Sequence, residues 1–245
     1  MSTLASAEAK AQLAPRGVLR AAINMANFLL VTGRDAAGDP LGVAPDMAQS
    51  VAQRLGVPLT LVPFKSPGEL ADQAGRDVWD IGLIGAEPQR AATIAFTHAY
   101  VEIEATYLVP AGSPIRTLAE VDRPGIRVSV TQRSAYGLWL ERNVKHAALV
   151  WSNSLDGAFE RFVAEKLEAL AGLRPRLQTD LEKLPGARIL AGQFSAVQQA
   201  IGTARSNVEA ARFLSVFVEE AKASGLVAGL IAKHKVQGLT VAPSA

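Results

Sequence analysis

Two arginines and a third beside an apolar residue stand where strand-like runs end, and an arginine at such a place can hold an anion. Arg90 lies in "AEPQRAATIAFTHAY", a stretch of small apolar residues directly after the run "VWDIGLIG". It reads either as a solvated surface group or as an anion clamp, since its planar fork offers a carboxylate two parallel donors. Each charge-assisted hydrogen bond of that kind contributes about 1.5–3 kcal/mol net. In "VTQRSAYGLWL" a strand ends at Thr131 and a helix starts, with Ser134 as its N-cap. A helix N-terminus attracts anions through its free N–H groups and dipole, and Arg133 adds a full charge beside it. The plainer alternative is that Ser134 only caps and Arg133 faces water. Arg174 follows Leu173 at the end of the run "EALAG".

Other chemistries find little support. His98, His146 and His234 stand alone without paired-ligand spacing, so no metal site is expected. The sequence has no cysteine, which excludes disulfides, thiolate catalysis and cysteine zinc sites. It lacks a Gly-x-Ser-x-Gly elbow, a phosphate-binding glycine-rich loop and a His-Glu-x-x-His pair, and no cofactor is expected. Glu102 and Glu104, two apart in "YVEIEATY", can face one side of a strand; paired carboxylates can do acid/base work, but the pair reads rather as a hinge or cleft-edge element. Trp79, Trp139 and Trp151 sit in strand or helix patterns and read as core, and Asp46 reads as a brace for its helix.

The 245 residues carry 25 Lys and Arg against 23 Asp and Glu, a net charge of only +2 despite an isoelectric point near 9.0. No basic run tracks phosphates, so neither nucleic acid nor an anionic membrane is an expected partner. The start "MSTLASAEAKAQLAPRG" lacks the basic opening and apolar core of a secretory signal. The expectation is a cytoplasmic protein, unless a leader has been removed.

These residues need elements to position them. Residues 1–16 read as a frayed or helical lead-in, and "VLRAAIN" as a first strand. A helix is expected from about Pro45 to Leu55, where Ala48, Val51, Ala52 and Leu55 recur at helical spacing and Gly56 with Pro58 stops it. "LTLVPF", "SPGELADQAG" and "VWDIGLIG" continue a β-α-β-α-β alternation, the pattern of a mostly parallel sheet covered by helices. After "TYLVPAGSPI" the alternation restarts, with strands "IRVSVT", "ALVW", "EALAG" and "ARILAG" and helices over "SAYGLWLERNVKH", "SLDGAFERFVAEK" and about Arg174 to Leu184. Two terminal helices follow, near Asn207 to Ala223 and Leu226 to His234. Two such blocks predict an α/β protein of two lobes. Open α/β sheets bind ligands at the carboxyl ends of their strands, so the expected site is an interlobe cleft.

The sequence also resembles a known family, the type 3 extracellular solute-binding proteins of ABC transporters, over roughly residues 17–240. "GVLRAAIN" looks like its opening strand, and "DPLGVAPDMAQSVAQRLGVPLTLVPF" like its "G-F-D-x-D-L…A-x-x-L-G" segment, with Asp46 at the second aspartate. "WDIGLIGAEPQRAATIAFTHAY" looks like "D…T-x-x-R…I-x-F-S-x-P-Y", and "YLVPAGSPIRTLAEV" like the crossing into the second lobe. The resemblance implies a type II periplasmic-binding-protein fold. Lobe 1 is then 17–100 with 198–240, lobe 2 is 105–191, and hinge crossings lie at 101–104 and 192–197. It implies that Arg90 holds a ligand carboxylate and that the Gln132–Arg133–Ser134 turn binds it from the second lobe. It implies a periplasmic location for a chain freed of its leader, a monomer, and an ABC permease as partner, without membrane insertion.

The sequence departs from the amino-acid binders at several positions. Gly85 stands where they usually have a hydroxyl before the arginine, and Asn27, with Phe28 adjacent, where they have an aromatic. Leu173 followed by Arg174 takes the place of the aspartate that receives the ammonium, and an unpaired ammonium is costly to bury. With Asn24, Asn27, Arg90, Arg133 and Arg174 the expected ligand is a polar or anionic small molecule bearing a carboxylate, captured for ABC-type transport. The alternatives are an enzyme on this scaffold, resembling the cyclohexadienyl dehydratases, and a cytoplasmic ligand sensor.

Overall fold

The computed structural model describes residues 5–245, which fall into two compact units. Unit one comprises the described residues up to Glu102 together with Gln198–Ala245, and unit two is Ile103–Val197. Unit one opens with helix α1 (Ala7–Leu13), strand β1 (Leu19–Asn24), a short hairpin of β2 (Gly33–Arg34) and β3 (Pro40–Leu41), and helix α2 (Val43–Leu55). It continues with β4 (Leu59–Phe64), α3 (Pro67–Asp72), β5 (Ile81–Gly85), a 3-10 turn at Arg90–Ala92 and β6 (Ile94–Phe96). Strand β7 (Val101–Val109) leads into unit two, which holds β8 (Arg127–Thr131), α4 (Ala135–Asn143), β9 (Ala148–Ser152) and α5 (Leu155–Ala164). There follow β10 (Ala169–Leu173), α6 (Arg174–Leu181) and β11 (Arg188–Ile189). Strand β12 (Ser195–Ala204) returns to unit one, where α7 (Val208–Ala223), α8 (Leu226–Lys233) and β13 (Thr240–Val241) complete the chain.

In unit one the strands run in the order β4-β1-β5-β12. β1 is parallel to both β4 and β5, while β12 is antiparallel to β5 and to β6. The apolar run of β5 is buried at every position, as a central strand covered on both faces requires. β4 is the edge strand, which is where Pro63 can sit without breaking a ladder bond. The faces of α2 and α7 join one core through Met47, Val51, Leu214, Phe217 and Val218, with Ile23 and Leu83 of the sheet. Side chains of this size each stabilise the fold by about 1.5–3 kcal/mol when fully buried. Residues 1–4 of the lead-in lie outside the described residues, and its helix α1 joins that core through the buried Ala9 and Leu13.

Helix α2 starts at Val43, two residues before the expected Pro45, because Gly42 lets the backbone turn in early. Gly42 has φ 146, and a Cβ there would lie 2.3 Å from the Leu30 carbonyl oxygen. Pro45 keeps its place in the first turn, where amides have no intrahelical acceptor and its missing N–H costs nothing.

In unit two the order is β7-β10-β8-β9. β8 is parallel to β9 and β10, and β7 runs antiparallel to β10 and β11. Phe162, Leu167, Leu170 and Leu177 centre its core. Two elements are shorter than expected. The helix from Arg174 ends at Leu181, with single turns carrying the chain on to Ala187, and "ARILAG" forms a strand only at Arg188–Ile189 before Gly192 turns at φ 77. Trp139 and Trp151 are half-buried rather than core. Trp139 packs on Phe194 at 5.3 Å, and Phe194 in turn on Tyr107 at 4.5 Å. Trp79 is buried as expected and donates from its indole to the Leu70 carbonyl at 3.1 Å.

The segment expected as the first crossing, 101–104, is the opening of β7. That strand runs on to Val109 because Ala105–Val109 are all buried. The segment 192–197 leads into β12, which continues to Ala204.

Candidate functional site

In unit one the parallel strands β1, β4 and β5 end at Asn24, Phe64 and Gly85, so the residues after them gather at one edge of the sheet. Arg90 is 5% exposed, and its Nη1 donates to the carbonyl of Gly85 at 2.6 Å. The turn that carries it is fixed through the backbone. The amides of Arg90 and Ala91 donate to the Glu87 carbonyl at 2.9 and 3.0 Å, and that of Thr93 to the Arg90 carbonyl at 3.1 Å. Arg205 closes the turn from β12's end, its Nη1 donating to the Ala91 carbonyl at 2.5 Å. A guanidinium held this way keeps one orientation, which a two-pronged bond to a carboxylate needs.

Asn24 and Asn27 are buried and serve the backbone after β1. Asn24 Oδ1 accepts from the Ala26 amide at 3.2 Å, and Asn27 Oδ1 accepts from Leu29 and Leu30 at 3.2 and 3.3 Å. The turn so formed leaves Phe28 in water, 38% exposed, where an aromatic face can meet a ligand. Sequence reasoning passed over Glu87. It is buried within the turn that presents Arg90, and a lone acidic residue three positions before the arginine gave no local sign of that burial.

In unit two the parallel strands β8, β9 and β10 end at Thr131, Ser152 and Leu173, and α4, α5 and α6 start just beyond them. Ser134 caps α4: its Oγ accepts from the Gly137 amide at 3.0 Å and donates to the Thr131 carbonyl at 2.7 Å. Both local roles of the hydroxyl are thus taken, and the anion-attracting part of this turn is the backbone of the helix start. Arg133, exposed beside it, has φ 56, a left-handed conformation that turns the chain sharply out of β8. Gln132 is also exposed, with its amide on the Ser152 carbonyl at 2.9 Å. Tyr136 is buried under this turn; burial pushes its hydroxyl pKa up, against hydrogen bonds with Thr131 and Ser134.

Leu173 is buried at the end of β10. Arg174 is engaged within unit two, its Nε with the Glu104 carboxylate and its Nη2 with the Gly192 carbonyl at 2.5 Å. Glu102, two residues earlier on β7, accepts from Gln198 Nε2 at 2.9 Å within unit one. The two glutamates of the strand are therefore each engaged in a brace. Asp46 is a brace as well, bonded at 2.7 Å to both Lys233 Nζ and His234 Nε2. Among the described residues no group of three or more His, Cys, Asp or Glu side chains could hold a metal ion.

A comparison with protein families matches residues 23–237 to the bacterial extracellular solute-binding proteins, family 3. The chain belongs to that family. Its fold is the type II periplasmic-binding-protein fold. A mutant of ArgBP from T. maritima superposes with a TM-score of 0.74 at 20% identity, over 94% of this chain and 100% of that one. An amino-acid ABC transporter substrate-binding protein from Streptococcus pneumoniae, bound to L-arginine, gives 0.72 at 17% identity over 96% and 99%. The ancestral amino acid-binding protein AncCDT-1, a precursor of cyclohexadienyl dehydratase, gives 0.74 at 17% over 91% and 97%. The solute-binding chain is also similar to the cyclohexadienyl dehydratase of Pseudomonas aeruginosa, 27% identical over 199 residues that make up 74% of this chain and 73% of that protein. Among the described residues no helix is long and apolar enough to cross a membrane.

Proposed function

We propose that this family 3 chain captures a small carboxylate-bearing solute outside the cytoplasmic membrane and delivers it to an ABC-type permease. The observation that carries the reading is Arg90, a buried guanidinium fixed on the Gly85 carbonyl at the carboxyl edge of a parallel sheet. Asn24, Asn27 and Phe28 border the same strand ends, and Phe28 offers the solute an apolar face. In unit two the first-turn amides of α4, with Gln132 and Arg133 beside them, form a second element that attracts negative charge. The apolar end of β10 at Leu173 supports an anion or neutral polar solute over an α-amino acid, whose ammonium needs a carboxylate partner there. A thermal-shift panel of small carboxylates, amino acids and amides tests the reading. A ligand at a hundredfold excess over its Kd stabilises by about 2.7 kcal/mol. Hits confined to carboxylates support it, and hits confined to cations or neutral amides count against it.

The dehydratase relative favours a second reading, an enzyme on this scaffold. Loss of water needs an acid placed at the leaving oxygen, and the end of β10 offers Leu173 instead. Incubation with a cyclohexadienyl carboxylate separates the two: binding without product supports the solute binder, and turnover supports the enzyme.

A further inference from the structure

Unit two also holds a cavity of about 370 Å³, a volume within the usual range of small-molecule pockets. It is formed by the Pro110–Ala111 turn after β7, the end of α5 at Phe162 and Val163, and the Leu184–Pro185 turn after α6. Leu167, just before β10, belongs to its wall, so it lies at the opposite end of that strand from Leu173. At about 3.3 Å per residue the strand between them, Ala169–Leu173, is itself roughly 13 Å long.

The lining is apolar except for one charged residue, Lys166. Pro110 and Pro185 fix the backbone of two of its walls. Val163 is 45% exposed on this face, the one large apolar side chain among the described residues of unit two that is exposed rather than buried or half-buried. Lys166 stands at the left-handed position that ends α5, with φ 49, where glycine is the easier residue. Its backbone is pinned: the amide donates to the Val163 carbonyl at 3.3 Å, and the carbonyl accepts from Arg127 Nη2 at 2.9 Å. The nearby carboxylates are engaged elsewhere, Glu165 with Arg161 and Glu168 with Arg127. The cavity thus pairs an apolar interior with a single cation at its rim.

We propose that this cavity is a second binding site, for a small amphiphilic carboxylate whose apolar tail lies between the prolines and whose carboxylate meets Lys166. The pairing matches by charge at the rim and by burial inside, and it does not depend on Arg90.

Methyl and amide NMR on the labelled full chain, titrated with sodium octanoate and separately with 1-octanol, tests the proposal. Octanoate is expected to shift Val163, Leu167, Leu184 and Ala187 saturably. Lys166→Gln weakens octanoate by about three- to fivefold, the scale of an exposed charge pair, and leaves octanol unchanged. Val163→Asp, at an exposed position that leaves the core intact, abolishes octanoate binding by charging the wall. Arg90→Ala leaves the shifts at these cavity methyls unaltered. Absence of saturable shifts at these methyls overturns the site. Shifts that persist equally in Lys166→Gln and Val163→Asp, or that vanish in Arg90→Ala, overturn it as well.

Discussion

Arg90 Nη1 lies 2.6 Å from the carbonyl oxygen of Gly85, the last residue of β5. The strand therefore orients the guanidinium through its own backbone, at a residue with no side chain of its own to offer a ligand. Amino-acid binders usually have a hydroxyl near this point, and here a glycine carbonyl and a buried arginine share the place. The anion recognition proposed for unit one therefore rests on the arginine.

Ser134→Ala removes both bonds of the cap, to the Gly137 amide and from the hydroxyl to the Thr131 carbonyl. The expected loss is about 1 kcal/mol of stability, read by urea denaturation. Gly137→Ala is expected to destabilise too. It gains about 1 kcal/mol of helix propensity, yet its Cβ would sit 2.6 Å from the Thr131 carbonyl oxygen and 2.8 Å from Ser134 Oγ. Equal or greater stability in Gly137→Ala would show that the α4 start has room to shift.

Arg174 is expected to brace rather than to bind. Its partners are Glu104 and the Gly192 carbonyl, and the Glu104 side chain is 54% exposed, so the ion pair is largely screened. Arg174→Gln should lower stability by about 0.2–1 kcal/mol and leave ligand affinity within about twofold. A tenfold loss of affinity, measured by calorimetry, would return Arg174 to the ligand.

Asp46 ties α2 to the end of α8. Burial pushes its carboxyl up, but hydrogen bonds from Lys233 and His234, together with their charges, outweigh burial and hold it below the usual range. A carboxylate depressed in the folded state stabilises above its unfolded pKa, about 3.9, and loses that contribution as pH falls through the folded value. Asp46→Asn is therefore expected to cost on the order of 0.5–1 kcal/mol at pH 7, with the gap to wild type closing below about pH 4. Denaturation midpoints across that range give the answer, and a gap that widens on acidification contradicts it.

The alternation of strands and helices was legible because buried strands such as "IGLIG" are continuously apolar and α2 repeats its apolar residues at helical spacing. Elements formed by distant pairing were not. β13 is two residues long and exists only against Val101 and Glu102 of β7, and the β2–β3 hairpin is mostly exposed. Arg90 was readable from its place after β5, but the burial of Glu87 beside it was not, since a lone acidic residue in sequence carries no sign of burial. The engagement of Arg174 by Glu104, 70 residues away, depends on the antiparallel register that sets Leu173 opposite Ala105. Local sequence cannot supply a register between strands so far apart.

Titration calorimetry on wild type, Arg90→Ala and Arg90→Lys, using the tightest carboxylate from the thermal-shift panel, tests the central claim most directly. Arg90→Ala is expected to cost about 2 kcal/mol or more of binding, near a thirtyfold loss, because a charge-assisted partner is removed. Arg90→Lys should recover only part, since an ammonium cannot present the two-pronged geometry. Wild-type affinity in both variants would contradict the account and leave Arg90 a structural residue of its turn.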